Sequence, residues 1–466
     1  MRRFLLRHAL LPDGWHDDVS VTVNDDGLIA SVAAKAAVGD AETLAETLDG
    51  AVLPGLPNLH SHAFQRAMAG LAERSGPDAS GGDSFWTWRE LMYRFAARLT
   101  PADLEAIASQ LYAEMLQAGY TAVAEFHYLH HQPDGTPYDD PAETGWRILA
   151  AAEASGIGLA HLPVLYRYGG FGGREPQERQ RRFLHDGDAY GRLLEKLAPA
   201  FGGGRGDRRL GIAPHSLRAV SPELLRTALA LLDAIDATAP VHIHIAEQMA
   251  EVDDCIAWCG RRPVDWLLDQ GVVNERWCLV HATHLTAGET ARLAASGAVA
   301  GLCPTTEANL GDGLFPAAAF LAAGGRIGIG SDSHVSVDAA EELRLLDYGQ
   351  RLLHRGRTLL AGGPDRSTGR RLFDAVAAGG AQALGLKVGR IAPGYRADFV
   401  RLDDEAPVLA AKRGDALLDA WIFAGQPSTP VRDVWAGGRQ VVENGRHVRA
   451  GEFAARYRQT LRRLTE

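Results

Sequence analysis

The middle of the chain alternates short apolar runs, rich in β-branched residues, with stretches rich in alanine, leucine and arginine. The runs have the length and composition of buried parallel strands, and intervening stretches such as 101–118 and 222–234 have the period of helices. Eight strands are predicted in this way, at 51–59, 121–127, 158–165, 210–215, 240–246, 277–282, 298–303 and 326–332. Eight strand–helix units predict an α/β fold, a (β/α)8 TIM-like barrel.

The two ends of the chain follow a different pattern, in which polar and apolar positions alternate with a period of two. Residues 19–24, 394–402 and 433–445 have this alternation and are bounded by glycine or Asn-Gly turns, which is typical of antiparallel strands. We therefore expect both ends to form one small β-sandwich domain. The predicted division is 1–50 and 389–466 for this domain and 51–388 for the barrel.

Composition limits the domain organisation, the partners and the cellular compartment that can be expected. The chain has 466 residues, of which 46% are hydrophobic, and this favours a large barrel with a smaller attached domain over one simple core. A net charge of -10 and the lack of a basic stripe argue against nucleic-acid binding. No apolar stretch approaches the roughly 18 residues of a membrane span. Four cysteines without a paired framework favour the cytoplasm. By analogy with similar barrels, a homodimer is expected.

Histidines and an aspartate stand where predicted barrel strands end. His60 and His62 follow the first strand, and residues two apart in an extended strand point the same way, so both imidazoles can bind one ion. Alternation puts His242 and His244 on the same side of the fifth strand, but His244 lies nearer the strand end. Asp332 closes the eighth strand. These four ligands, His60, His62, His244 and Asp332, predict a divalent metal site, with Zn²⁺ expected first and Fe²⁺ as the alternative.

The lysines indicate how many metal ions to expect. A second ion in such a site commonly needs a bridging carboxylated lysine. The chain has only Lys35, Lys196, Lys387 and Lys412, and none lies in a predicted barrel strand. One ion is therefore favoured over two.

Three residues at the same strand ends are candidates for catalysis. An ion with an open coordination position lowers the pKa of a bound water to about 7, which predicts hydroxide as the nucleophile. Glu247, three residues after His244, can carry a proton from that water to a leaving nitrogen, and Asp332 can act as a first base. His281, at the end of the sixth strand, can stabilise the reacting group.

This set of residues resembles the mononuclear aminohydrolase branch of the amidohydrolase superfamily. Four segments, 54–68, 125–128, 213–219 and 303–313, more closely resemble iminohydrolases that act in histidine degradation. The last segment discriminates most, because related deaminases usually have Ser-Asn where this chain has Thr306-Glu307. The resemblance implies conversion of N-formimidoyl-L-glutamate and water into N-formyl-L-glutamate and ammonia.

A small dicarboxylate substrate requires positively charged side chains on the face of the barrel that carries the metal ligands. Its two carboxylates call for guanidinium groups, and Arg89 and Arg218 both belong to loops after predicted barrel strands. The resemblance implies that the substrate-binding residues are Gln65, Arg89, Tyr128, His215 and Arg218.

Two other functions remain compatible with the same residues. A deaminase of a purine or related heterocycle needs the same metal ligands, but would favour aromatic stacking and amide hydrogen bonds over paired arginines. A non-catalytic binding protein could share the barrel, although it would have no need of intact Glu247, His281 and Asp332. Assays of ammonia release from each substrate class distinguish an iminohydrolase from a heterocycle deaminase. Metal analysis together with a Glu247→Gln variant distinguishes an enzyme from a non-catalytic binding protein.

Overall fold

The computed structural model describes residues 1–34, 45–73, 85–202, 206–362, 366–424 and 430–466. Within these ranges there are seventeen strands: β1 Arg2–Leu11, β2 Gly14–Val23, β3 Ile29–Ala33, β4 Glu46–Pro54, β5 Leu56–Ser61, β6 Tyr120–His127, β7 Gly158–Leu165, β8 Arg208–Leu210, β9 Ala213–Pro214, β10 Val241–Ile245, β11 Trp277–His281, β12 Val299–Leu302, β13 Arg326–Ile329, β14 Phe399–Leu402, β15 Val431–Ala436, β16 Arg439–Glu443 and β17 Arg446–His447.

The same ranges contain fourteen α-helices: α1 Phe85–Ala96, α2 Pro101–Gln117, α3 Glu143–Ser155, α4 Gly187–Phe201, α5 Pro222–Asp236, α6 Met249–Cys259, α7 Pro263–Asp269, α8 Ala287–Ser296, α9 Pro304–Leu310, α10 Ala317–Ala322, α11 Ala339–His354, α12 Thr368–Leu384, α13 Asp415–Phe423 and α14 Ala450–Thr465. Several begin at polar caps that the sequence provides. Thr100, Ser221 and Thr286 each accept a hydrogen bond from a backbone N–H in the first turn of α2, α5 and α8.

The barrel is a closed ring of parallel strands. β5 pairs with β6, β6 with β7, and β7 with the two short pieces β8 and β9. β10 to β13 pair in sequence. Single parallel bridges, Ser216 to His244 and Ser61 to Asp332, connect the two halves and close the ring. The predicted (β/α)8 barrel is confirmed, with its fourth strand divided in two.

A second sheet is built from both ends of the chain. Its strand order is β17-β16-β15-β14-β4-β1-β2-β3, so residues before the barrel lie beside residues after it. Phe4 of β1 and Phe399 of β14 meet edge to face in its core, with ring centroids 5.3 Å apart. A β-domain formed by both termini is thus confirmed. The predicted run 51–59 is shared between the sheets, because β4 ends at Pro54 and β5 begins at Leu56. The predicted domain boundaries themselves stay a prediction.

A buried ion pair joins the terminal sheet to the barrel. Arg396 Nη1 lies 3.0 Å from Asp398 Oδ1, and both side chains are at most 4% exposed. The guanidinium also donates to the carbonyl oxygens of Thr121 (3.0 Å) and Gly156 (2.8 Å) in the barrel. Asp398 accepts from the Thr121 hydroxyl at 3.1 Å and the Gly437 N–H at 2.9 Å. The guanidinium and the carboxylate therefore both have hydrogen-bond partners in addition to each other.

Replacing Arg396 by methionine is expected to lower the free energy of unfolding by about 3–5 kcal/mol, because it leaves the Asp398 carboxylate buried without its cation. Chemical denaturation followed by circular dichroism measures the change. Arg390→Met, at an exposed position, is the matched control. A loss below about 1 kcal/mol, the range of surface pairs, would contradict this account of the junction.

No helix in the described part of the chain has both the length and the apolar composition needed to cross a membrane.

Candidate active site

Four metal-ligand candidates converge at the carboxyl ends of the barrel strands. His60 lies in β5 and His62 directly follows it, His244 lies near the end of β10, and Asp332 follows β13. All four are at most 5% exposed. The predicted metal ligands are therefore together in one buried cluster, on the face of a barrel where active sites are found.

The distances between the ligand atoms suit a tetrahedral ion. His60 Nε2 lies 3.2 Å from His62 Nε2 and 3.0 Å from His244 Nε2. Asp332 Oδ1 lies 3.4 Å from the Nε2 atoms of both His60 and His62. Ligands about 2.0–2.1 Å from a tetrahedral zinc ion are separated by about 3.3 Å, so these separations leave room for one ion at the centre.

The positions of the histidine protons also fit a cation. His62 Nδ1 donates to the Phe126 carbonyl oxygen at 2.9 Å, and His244 Nδ1 donates to the His215 carbonyl oxygen at 3.1 Å. Burial lowers the pKa of His60, His62 and His244, so all three rings are neutral. The Nε2 atoms of His62 and His244 then carry lone pairs, and the Nε2 of His60 can donate to only one of them. One divalent cation satisfies all these atoms together.

A hydrogen-bond network holds the first two ligands in place. The Glu125 carboxylate accepts from Ser61 Oγ at 2.6 Å and from the Ala63 N–H at 2.7 Å, on either side of His62. Ser61 Oγ also lies 3.1 Å from the Nε2 of His334, whose Nδ1 lies 2.9 Å from Ser331 Oγ. Such outer contacts orient metal ligands. His334, two residues after Asp332, belongs to this network.

Glu247, His281 and Asp332 form the acid–base part of the site. His281 Nε2 lies 3.7 Å from Glu247 Oε1 and 3.8 Å from Asp332 Oδ2. Burial raises the pKa of Glu247 to about 7, which suits a group that accepts and returns a proton near neutral pH. Burial disfavours the charged His281 ring, but Glu247 and the other nearby carboxylates outweigh that effect and raise the pKa of His281 to about 10.

The backbone at these strand ends is strained. Five non-glycine residues there have positive φ: Ala246 (51°), His281 (65°), Ala282 (47°), Asp332 (45°) and His334 (61°). Such conformations cost about 1–3 kcal/mol each and concentrate at functional sites. They direct the side chains of His281 and Asp332 in a way that regular strands would not.

One cavity is lined by three of the four metal-ligand candidates and by all the predicted substrate-binding residues. It has an empty volume of about 610 Å³, which includes the space at its mouth that is open to solvent. Gln65 Nε2 donates to the Tyr128 hydroxyl at 2.7 Å within it. Its lining includes His62, His244, Asp332, Glu247, His281, Gln65, Arg89, Tyr128, His215 and Arg218. The site residues predicted from the sequence are thus assembled around one space, although their roles stay a prediction.

Comparison with known proteins identifies the family. A family model described as "Amidohydrolase family" matches residues 51–441, which is most of the chain. This chain belongs to the amidohydrolase family.

Two curated relatives and one solved structure resemble this amidohydrolase over most of its length. Formimidoylglutamate deiminase of Pseudomonas aeruginosa is 55% identical, with 100% of each chain covered. The 5-methylthioadenosine/S-adenosylhomocysteine deaminase of Natronomonas pharaonis is 30% identical, covering 92% of this chain and 90% of the relative. A crystal structure of an amidohydrolase from Brucella melitensis aligns with a TM-score of 0.92 at 49% identity, with 100% of each chain covered.

Several residues of this amidohydrolase site were not predicted from the sequence. Aromatic and apolar side chains form the cavity walls between the polar groups, and they are Trp88, Met92, Tyr93, Tyr166, Phe183 and Leu310. Tyr166 directly follows β7, but the others lie in helical segments outside the strand ends, where one sequence offers no signal. Glu307 was noted only as part of a motif, yet its Oε1 lies 3.3 Å from His281 Nδ1.

The remaining histidine and lysine interpretations can be compared with the structure. His242 Nε2 donates to the Ala383 carbonyl oxygen of α12 at 2.7 Å, whereas His244, which lies nearer the strand end, joins the ligand cluster. Lys196 lies in α4, and Lys387 and Lys412 lie outside the strands. Lys35 lies outside the described residues.

Proposed function

We propose that this chain is a metal-dependent hydrolase that converts N-formimidoyl-L-glutamate and water into N-formyl-L-glutamate and ammonia. The proposal combines three observations. The chain belongs to the amidohydrolase family, a relative with 55% identity is named formimidoylglutamate deiminase, and the lining of the cavity suits a dicarboxylate. It also accounts for the presence of both metal-ligand candidates and arginines in the lining of that cavity.

The observation that carries the substrate assignment is the state of Arg218. Arg218 is half-buried at the cavity wall, and its Nε is buried without a hydrogen-bond partner among the described residues. Glu251 and Glu247 are near enough to raise the pKa of Arg218, but neither forms an ion pair with it within the described residues. A guanidinium in this state is a site for a ligand carboxylate. Arg89 lines the same cavity, so two guanidinium groups border the space proposed for the two carboxylates of the substrate. Gln65, Tyr128 and His215 supply polar groups between them.

The metal ion is held by His60, His62, His244 and Asp332 in this proposal. Zinc is the proposed ion, because three imidazoles and one carboxylate at tetrahedral spacing are a zinc donor set, and Fe²⁺ is the alternative that accepts the same donors. When bound, the ion supplies Lewis-acid activation of water and of the electrophilic carbon.

The residues around the ion move the protons. Glu247 accepts a proton from the attacking water and delivers it to the nitrogen that leaves as ammonia, a role that its pKa of about 7 allows. As the first base, Asp332 takes the other proton of that water, and both protons end on the imino nitrogen, which leaves as NH3. His281 Nε2 lies within 4 Å of both carboxylates, and from there it orients the formimidoyl group during attack.

Assays of ammonia release test the substrate class. Purified protein is supplied separately with N-formimidoyl-L-glutamate, guanine and 5′-methylthioadenosine, with zinc present. We expect turnover of the first alone, since two arginines have no counterpart in an uncharged heterocycle. Turnover of a heterocycle without turnover of N-formimidoyl-L-glutamate would replace this proposal by the deaminase alternative.

Replacing Arg218 by methionine is expected to lower kcat/KM for N-formimidoyl-L-glutamate by about 10²–10³-fold, because a desolvated charge pair with the substrate is lost. Methionine keeps most of the volume of the side chain. Steady-state ammonia release with metal analysis measures the change. Arg226→Met, an exposed position in the following helix, is the matched control. Equal kcat/KM values for the two variants would remove Arg218 from the substrate site.

For compartment, oligomeric state and partners, we keep the predictions made from the sequence. The enzyme is proposed to be a cytoplasmic homodimer without nucleic-acid or membrane partners.

A further inference from the structure

Glu307 forms a contact that the reaction outlined above does not use. It lies in α9, directly after β12, and it is 5% exposed. One of its oxygens, Oε1, accepts the backbone N–H of Cys303 at 2.9 Å and faces His281 Nδ1 at 3.3 Å. The Thr306-Glu307 segment singled out in the sequence therefore reaches the residue that ends β11.

This contact fixes which nitrogen of His281 faces the substrate. A carboxylate oxygen has no hydrogen to donate. His281 Nδ1 therefore carries the hydrogen of this bond and donates it to Glu307. The ring is then oriented with Nε2 toward the cavity, near Glu247 and Asp332. Without an acceptor at this position, the imidazole could rotate about its side-chain bonds.

The backbone of His281 increases the need for such a support. His281 has a φ of 65° and Ala282 a φ of 47°, so the chain leaves β11 through two consecutive left-handed residues. His281 pairs with Ile245 as the last residue of the ladder between β10 and β11, so no further paired residue of β11 follows it. The Glu307 carboxylate links it instead to the start of α9, through the shared bond to the Cys303 N–H.

We propose that Glu307 is a positioning residue, which holds His281 with Nδ1–H directed at its carboxylate and Nε2 directed at the substrate. This inference rests on the proposed function, since the substrate is the one assigned above. Glu307 lies behind His281 and is not among the residues that line the cavity.

A set of variants of the zinc-loaded full-length enzyme tests the proposal. Glu307→Ala is expected to lower kcat for N-formimidoyl-L-glutamate by about 10–100-fold with unchanged metal content, as for other outer partners of site histidines. Glu307→Gln retains an oxygen that can accept from Nδ1, so it is expected to recover most of that loss. In a His281→Asn background, Glu307→Ala is expected to change kcat by less than about twofold, because the two residues act as one unit.

Glu342→Ala is the matched control for a purely structural role. Glu342 is also buried and also binds the start of α9, since its carboxylate accepts the Thr305 N–H at 2.9 Å, but within the described residues it makes no hydrogen bond or ion pair with His281. We expect this variant to shift the thermal midpoint without a comparable loss of kcat. The midpoint is measured for every variant.

Three results would overturn the inference: wild-type kcat in Glu307→Ala, an equal loss in the wild-type and His281→Asn backgrounds, or no recovery in Glu307→Gln. Loss of metal from Glu307→Ala would also overturn it, because Glu307 would then act on the ion and not on His281. A wild-type enzyme that releases no ammonia from N-formimidoyl-L-glutamate is a distinct result, and it removes the proposed function itself.

Discussion

Replacing Glu247 by glutamine is expected to lower kcat by about 10²–10⁴-fold, the usual contribution of a general acid–base group. The amide has nearly the same shape as the carboxyl group, but it cannot take a proton from water or return one to the leaving nitrogen. Glu247 lies beside His281 and lines the cavity without belonging to the metal-ligand cluster. Ammonia release measured together with zinc content per chain gives the result.

Metal content decides how the Glu247→Gln result is interpreted. Unchanged zinc with lost turnover identifies a proton-transfer residue and also rules out a non-catalytic binding protein, because only an enzyme has turnover to lose. Glu251→Gln is a suitable control, since Glu251 is equally buried in α6 and its Oε2 accepts the Glu247 N–H at 3.3 Å. A Glu247→Gln variant within threefold of the wild-type kcat would remove the assigned role.

Removal of the metal is expected to abolish turnover, by at least about 10³-fold, since water without a metal partner is a poor nucleophile near neutral pH. Dialysis against a chelator produces the metal-free protein, and titration with Zn²⁺ is expected to restore activity at one ion per chain. Fe²⁺ added without oxygen tests the alternative ion. Full activity at two ions per chain, or none at one, would contradict the single-ion site.

Substitution of a single ligand complements the chelator experiment. His62→Gln is expected to lose zinc and activity together, because two Nε2 atoms and one carboxylate hold the ion less tightly than four ligands. His242→Gln is the matched control, since this histidine lies in the same barrel interior but bonds to the Ala383 carbonyl oxygen. Equal zinc contents in the two variants would show that His62 is not a ligand.

The sequence predicted the ligand cluster because its signal is local and repeated. The His60 and His62 pair can be identified from strand alternation alone, and His244 and Asp332 each close an apolar run. The barrel then brings these strand ends together, since all parallel strands finish on the same face. Fold and ligands were therefore predictable from periodicity and residue type.

Contacts between distant loops were not predictable in the same way. Glu307 reaches His281 only because α9 starts beside the end of β11, and a single sequence does not encode that spacing in any period. The positive φ values of His281 and Asp332 occur at residue types that carry no glycine signal. The division of the run 51–59 between two sheets was missed for a related reason, because both strands are uniformly apolar there.

The bridge between Ser61 and Asp332 lies where the first barrel strand meets the last, and the His62 N–H bonds to the Asp332 carbonyl oxygen at 3.2 Å across that line. An ion bound by His60, His62 and Asp332 therefore links the first and last strands and stabilises the closed barrel. A nascent chain that lacked its final strand would keep three imidazoles but would lack the Asp332 carboxylate, so tight binding of zinc would report that the barrel has closed.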